Sequence, residues 1–504
     1  MVDKLKRIPI WIGVAAAVAL LVAHIAYYAY IDVDDAYISF RYARNFARGD
    51  GLLFNPGDAP VEGYSNFLWV VTLAGAAWLG LDIGAAARVL GPSFSIAALI
   101  GMAIALRQSG AGKFAVWTAC LWLAASGSYA MWSVSGLETS LLAALLALAL
   151  ILLVQEEQTG RGIASGFALA LVALARAEGA VFFVAALSMR LLAHLRRQTT
   201  RSAREDVKWA LAFAAPFGAF LVWRLLYYGD WLPNTVHAKS GGGYVYRVLR
   251  GAHYLFQFLA SGGALLALLS AAAAIPLIDR PLVRHALAGS VLYVAVISVA
   301  GGDWMPLSRF YAPILPWLCA LAAIGLAALA ERIPSHAGAF ASVTALLVFG
   351  LFLGGSIQVQ EIDRTTRDFS APSSGGHIMA AWLRENSKPG DSIALVDAGV
   401  LAYETELRVV DMIGLSDRHI AHLAPRFPRG LASGNGFGKW DADYVLAQAP
   451  TFIQVHLSRE RWENRDLRTD WVGTDELIND PRFLASYEYV DDPRVGGLFR
   501  RIRP

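Results

Sequence analysis

Residues 9–30 read PIWIGVAAAVALLVAHIAYYAY, and residues 31–44 continue IDVDDAYISFRYAR. The first stretch holds no Asp, Glu, Lys or Arg. A helix needs about 20 apolar residues to cross the hydrocarbon of a bilayer, so residues 9–30 are predicted to span. The run is too long for a typical signal-peptide core, and no small-residue cleavage site follows it, so it reads as a retained first span. The second stretch opens with two adjacent carboxylates, Asp34 and Asp35, which are costly at a membrane boundary unless paired or wet.

Working outward, apolar runs of this kind recur to residue 356 and then stop. The chain has 504 residues, 56% hydrophobic and 16% charged, where soluble domains carry about 25% charge. Mean hydropathy is +0.46. Residues 1–356 are therefore expected to form a membrane module with a first outer loop at 31–82. Residues 357–504 are expected to form one soluble domain. The net charge of +3 and pI of 8.7 come from cations placed between spans, which indicates topology rather than nucleic-acid binding. Cys120 and Cys319 both sit inside apolar runs and read as small buried hydrophobes rather than a disulfide framework.

Lys4, Lys6 and Arg7 precede the first span, which puts the N-terminus in the cytoplasm and the loop after it outside. Residues 65–80 are apolar but short and are predicted to lie along the outer interface. Further spans are expected near 86–106, 114–131, 138–154, 162–177, 179–195, 208–228, 260–278, 284–300, 311–330 and 338–356, about eleven with the first. Arg107, Lys113, Arg161, the Arg196–Lys208 loop, Arg280, Arg284 and Arg332 then all fall inside. The odd count leaves the tail outside. The inner loops are expected to offer only solvated basic residues.

The polar motifs collect on the outer side. A carboxylate of Asp34 or Asp35 can take a proton from an attacking hydroxyl, or simply cap the helix that follows. Glu62 and Tyr64 belong to the same loop. Glu138 lies at the outer end of a span, and Arg176 and Glu178 lie between two spans. Each can pair across the site or merely satisfy a hairpin turn. Asp230, Trp231 and Asn234 lead to His237 and Lys239, and Asp303 and Trp304 lead to Arg309, through two loops sharing Gly-Asp-Trp-x-Pro. A cation beside a rigid turn can hold a phosphate, or anchor to lipid headgroups. The chain has no Walker A, dinucleotide loop, His/Cys metal pattern or G-x-S-x-G elbow. An outer site without nucleotide-binding chemistry points to a lipid as the activated substrate.

The run from Asp34 to Asn45, Gly51–Gly57, Val61–Asn66, Gly229–Asn234, Gly302–Arg309 and Asp411–Asp417 resembles the outer loops of GT-C glycosyltransferases. These are polytopic helical membrane enzymes that use polyprenyl-phosphate sugars. The nearest resemblance is to the AftB-like terminal β-arabinofuranosyltransferase group of actinobacterial cell-wall synthesis. It implies a GT-C fold with a small C-terminal extracytoplasmic α/β domain in a bacterial inner membrane. It implies transfer of a sugar, arabinofuranose by preference, to a cell-envelope glycan or glycoconjugate. Asp35 is favoured as base over Asp34, with Arg41, Lys239, Arg309 and His237 on the donor phosphate. Glu62, Tyr64, Glu138, Arg176, Glu178, Asp230, Trp231, Asn234, Asp303, Trp304, Asp411 and Asp417 are expected to line the substrate site. A divalent cation (Mg, Mn or Ca) bridging carboxylate and phosphate fits the same chemistry. The tail is shorter than a large carbohydrate-binding module needs. Its helical Ala380–Glu385, turn at Pro389–Asp391 and strand-like Ser392–Asp397 read as one α/β unit. A lipid or solute transporter is the alternative, although no repeat beyond the two Gly-Asp-Trp loops supports it.

Overall fold

The structure, a computed structural model, describes residues 9–196, 199, 201–240, 243–263, 277–330, 364, 367, 370, 374–426 and 438–502. Within these, the membrane module runs α1 (Ile10–Tyr27), α2 (Asp34–Arg48), α3 (Phe67–Trp78), α4 (Ile83–Gln108), α5 (Lys113–Ala125), α6 (Gly127–Val134) and α7 (Thr139–Thr159). It continues with α8 (Ala164–Ala175), α9 (Ala180–Leu195), α10 (Ala203–Tyr228), α11 (Asn234–Lys239), α12 (Tyr244–Phe258), α13 (Pro281–Ala300) and α14 (Leu315–Ala330).

Seven helical segments among the described residues are long and apolar enough to cross a membrane, those built on α1, α4, α7, α9, α10, α13 and α14. Of the other expected spans, 114–131 is the pair α5 and α6, bent by 59°. The bend falls at Ser126, whose hydroxyl accepts the Tyr129 N–H at 3.3 Å and starts the second helix. Residues 162–177 form only the 12-residue α8. Residues 264–276 and 338–356, like Arg332 and the N-terminal cations, lie outside the described residues. Val22, Leu148, Phe167, Leu211, Leu226 and Val291 are exposed on the helix surfaces, the face an all-apolar helix presents to lipid.

α4 and α7 pack along their lengths, joined by a 2.8 Å contact between the Ser95 and Ser140 hydroxyls. α3 lies inside the 31–82 segment. It is short, as its apolar run predicts, and it buries Trp69, Val70 and Leu73 within the protein.

The basic residues expected to be solvated around 196–208 are in part buried and paired. Arg190, Glu156 and Arg201 are buried. Arg190 meets Glu156 at 2.5 Å and Asp206 at 2.9 Å, and Arg201 meets Glu157 at 3.1 Å. Charges away from water must pair, and α7, α9 and α10 bring these partners together.

In the tail, a helix at 374–386 (α15) precedes β1 (Ser392–Leu395), α16 (Val400–Thr405), β2 (Arg408–Asp411) and α17 (Arg418–Ala421). Then come α18 (Ala442–Ala447), β3 (Phe452–Gln454) and, past three short helices, β4 (Tyr487–Tyr489) and β5 (Leu498–Arg501). The sheet order is β2-β1-β3-β5-β4. β1 runs parallel to β2 and β3, and β5 runs antiparallel to β3 and β4. The segments leaving the carboxyl ends of β1 and β2 meet the outer loops of the membrane module, the side of an α/β sheet where ligands usually bind.

Candidate active site

Val33, extended, precedes α2, so Asp34 and Asp35 are its first two residues and neither side chain caps it. Successive helical residues point about 100° apart, and the two carboxylates therefore meet different surroundings. Asp34 faces the tail, where its Oδ1 accepts the Val400 N–H at 2.8 Å. Gly399 makes this approach feasible, since a Cβ there would stand 2.0 Å from the Asp34 carbonyl oxygen. Burial, then the charge of Asp397, push the Asp34 carboxyl up to about 8.

Asp35 faces Lys239, Arg309 and Asp303. Burial raises its carboxyl above the usual range, while Lys239 and Arg309 oppose the rise. Its carboxylate has no hydrogen-bond or ion-pair partner among the described residues. Lys239, the last residue of α11, is likewise unpartnered among them. It meets solvent, yet burial by surrounding protein lowers its ammonium, with Asp303 and Asp35 opposing. Lys239 and Asp35 therefore lie near enough to act on one another's charge, and the region between them is called the recess.

The walls of the recess are fixed by ion pairs. Arg309 Nε lies 2.7 Å from Asp303 Oδ2, and its guanidinium stacks over Phe310 at 4.8 Å. Arg176 packs over the same ring at 4.6 Å and pairs with both Glu138 and Glu178. Glu138 Oε2 also accepts the Asn66 amide at 2.7 Å. Seven predicted site residues thus surround one space: Asp35, Lys239, Arg309, Asp303, Arg176, Glu138 and Glu178.

Several predicted residues lie elsewhere. Arg41 is buried and donates to the carbonyls of Phe54 at 2.6 Å, Leu407 at 2.8 Å and Ala402, and to Asn55 Oδ1 at 3.1 Å. Its donors are occupied, so it ties the first loop to the tail and is not placed to hold a phosphate. Glu62 pairs with Arg224 at 2.9 Å, and burial pushes it up to about 7. The Tyr64 and Tyr228 hydroxyls meet at 3.0 Å. Asn234 donates to the carbonyls of Gly414 and Leu415 at 2.8 and 3.0 Å. Asp411 accepts the N–H groups of Ile413, Gly414 and Ser416, and Asp417 caps α17. These three shape the contact between tail and outer loops. Trp231 and Trp304 are exposed, as an interfacial belt requires. His237 sits apart from the recess with Asp230, at 3.0 Å, and beside the ring of His422 at 4.2 Å.

Asp397 and His456 are missing from the sequence expectations. Asp397 follows β1, and its charge acts on both Asp34 and Asp35. His456, after β3, contacts Asp397 and Asp470 at 2.7 Å each, which pushes its imidazole up to about 10. The end of the strand-like 392–397 run was the one available signal.

Among the described residues, the Asp34 and Asp35 carboxylates do not converge with a third His, Cys, Asp or Glu on one point. The trio that does, among the described residues, is Asp230, His237 and His422. A cation bridging Asp35 to a phosphate would therefore rest on a single protein carboxylate, beside two fixed positive charges.

A family model described as a domain of unknown function, DUF8728, matches residues 363–495. No curated protein matches the chain in sequence. Among solved structures, ArnT from Cupriavidus metallidurans bound to undecaprenyl phosphate is similar, with TM-score 0.51 and 16% identity over 79% of this chain and 85% of that one. The Archaeoglobus fulgidus oligosaccharyltransferase complex with zinc and sulfate is similar with TM-score 0.54 and 12% identity, over 80% of this chain and 62% of that one. The same enzyme tethered to an acceptor peptide gives TM-score 0.51. The chain therefore has the GT-C fold: a polytopic helical membrane module carrying a small C-terminal α/β domain.

Proposed function

We propose that this protein is a membrane glycosyltransferase that takes a sugar from a polyprenyl-phosphate donor. The acceptor is a cell-envelope glycan or glycoconjugate on the extracytoplasmic side, and arabinofuranose is the sugar favoured by the first-loop resemblance. The observation that carries this reading is that Asp35 and Lys239, each without a partner among the described residues, act on one another electrostatically, with Arg309 and Asp303 contributing to both. An unpaired carboxylate beside an unpaired ammonium is the arrangement a base and an anionic leaving group require. The solved neighbour that binds undecaprenyl phosphate shares the fold.

In the proposed reaction the acceptor oxygen bonds to the anomeric carbon and its proton passes to an Asp35 oxygen. The bond from anomeric carbon to phosphate oxygen breaks, and polyprenyl phosphate leaves with the electron pair. Lys239 and Arg309 neutralise the phosphate. Arg309 keeps its orientation through Asp303 and Phe310. Because the leaving group is already good, most of the protein's contribution is positioning and charge stabilisation. Burial lifts Asp35 toward the working pH, which favours a base, and the two cations keep it from being lifted further.

The test is transfer of labelled sugar from synthetic polyprenyl-phosphate donors by purified protein in detergent, with arabinofuranosyl and hexosyl donors compared. Transfer from a polyprenyl-phosphate sugar that disappears in Asp35→Asn supports the reading. Donor-independent uptake of label into proteoliposomes, with no glycoside formed, would establish a transporter instead.

A further inference from the structure

The cluster at Asp230, His237 and His422 is not used by the proposed reaction. Asp230 follows α10 in the first Gly-Asp-Trp loop, His237 is on α11, and His422 follows α17 in the tail. Three segments meet there, one of them about 190 residues downstream of the other two.

Asp230 Oδ1 accepts the Leu232 N–H at 3.0 Å. That bond orients the carboxylate so that Oδ2 lies 3.0 Å from His237 Nε2 and 3.8 Å from His422 Nε2. All three candidate ligand atoms lie within 4.8 Å of one another. Tetrahedral ligands held about 2.0–2.1 Å from a zinc ion stand roughly 3.3–3.5 Å apart, between the two measured separations.

The alternative is a hydrogen-bonded His–Asp pair. His237 Nε2 stands 3.0 Å from Asp230 Oδ2, off the ideal hydrogen-bond angle, so such a pair would leave the convergence of His422 on the same oxygen unexplained. Both imidazoles aim the same ring atom at one carboxylate oxygen, with the rings tilted 32°. The convergence of two imidazoles on one carboxylate oxygen, which could accept from both only at unequal distances, is the arrangement a shared ion fills.

The supporting shell is also present. Lys439 donates to the carbonyls of His237 at 2.8 Å and Ala421 at 2.6 Å, tying α11 to the end of α17. Asp230 and His237 keep partial solvent contact and His422 is exposed, which leaves an entry path for an ion and room for water as a fourth ligand. Imidazole with one carboxylate suits zinc over magnesium or calcium, which prefer oxygen ligands.

We propose that Asp230, His237 and His422 bind one zinc ion, which clips the outer loop and α11 to the tail domain. Lys239 lies two residues after His237 on the same helix, so the clip also fixes where that ammonium stands. The inference does not depend on which sugar is transferred, or on whether the protein transfers one.

The test uses the full-length protein in detergent, stripped with a chelator and then given Zn²⁺, Mg²⁺ or Ca²⁺. Bound metal is counted by mass spectrometry after desalting, and thermal unfolding is recorded in parallel. The expected result is about one zinc per chain and a melting temperature raised by zinc alone. His422→Ala and, separately, Asp230→Asn should weaken zinc binding by at least about 100-fold, since even the outer partners of metal ligands are worth about 10–100-fold. His422 is exposed, so the metal-free His422→Ala protein should melt close to metal-free wild type. Wild type that retains no zinc overturns the proposal, as does His422→Ala that retains zinc as tightly as wild type.

Discussion

Asp34 and Asp35 are adjacent in sequence but have different neighbours. Asp34 is held by the Val400 N–H and faces Asp397, while Asp35 has an open carboxylate beside two cations. Asp35→Asn keeps the shape and removes the proton acceptor. Transfer should fall by about 10²–10⁴-fold with little change in donor affinity; steady-state transfer and a donor-binding titration check this, and wild-type turnover would move the base elsewhere. Asp34 makes a pH prediction. Its carboxyl sits at about 8 in the folded protein, against about 3.9 unfolded. The folded state keeps a proton that the unfolded state releases, so the contribution of Asp34 to stability falls as pH rises between about 4 and about 8. Asn keeps an oxygen for the Val400 N–H. Asp34→Asn should therefore gain in melting temperature relative to wild type as pH rises through that window; parallel pH slopes for the two proteins would show that Asp34 ionises freely in the fold.

At the scale of elements, α2 and α11 carry Asp35 and Lys239 of the proposed site, and each helix is held by the tail. Arg41, inside α2, is bound to three carbonyls and Asn55. Arg41→Ala strands those carbonyls, and each unsatisfied buried polar group costs about 1–3 kcal/mol. The variant should lose several degrees of melting temperature, while protein that remains folded binds donor normally; a weakened donor Kd at unchanged stability would return Arg41 to the phosphate. Lys239 gives the opposite pattern, because its ammonium has no described partner. Lys239→Ala should weaken donor binding by about tenfold or more while thermal stability stays within about 0.5 kcal/mol of wild type. Arg309→Ala is a less clean test, since it also leaves the largely buried Asp303 unpaired.

For the whole molecule, the membrane module and the α/β tail meet through the first outer loop, the first Gly-Asp-Trp loop with α11, and the segments after β1 and β2. This arrangement places the tail on the same side as the recess. On the proposed orientation, Arg204→Cys should label only from the cytoplasmic face of intact cells. Arg461→Cys, exposed in the tail, should label only from outside. Outside labelling of residue 204 would reverse the orientation and with it the side on which transfer occurs.

The apolar runs alone determined that this chain is a helical membrane protein with a polar tail, because the cost of burying charge in hydrocarbon acts on every contiguous stretch. The Asp34–Asn45 stretch and the two Gly-Asp-Trp loops, read through the family resemblance, named Asp35, Lys239 and Arg309 as candidates, and the fold brings these three within electrostatic reach of one another. Tertiary structure alone decided the rest. Arg41 looks like a free cation in sequence and is saturated by carbonyls up to 366 positions away. Asp397 and His422 come from the tail and reach outer-loop residues through packing that no local pattern encodes. Arg201 reads as a solvated cation in sequence and instead, like Arg190, pairs with acids from other helices. Hydropathy and spacing are sums over neighbours in the chain; the partner of a charge is set by which helices and strands pack together.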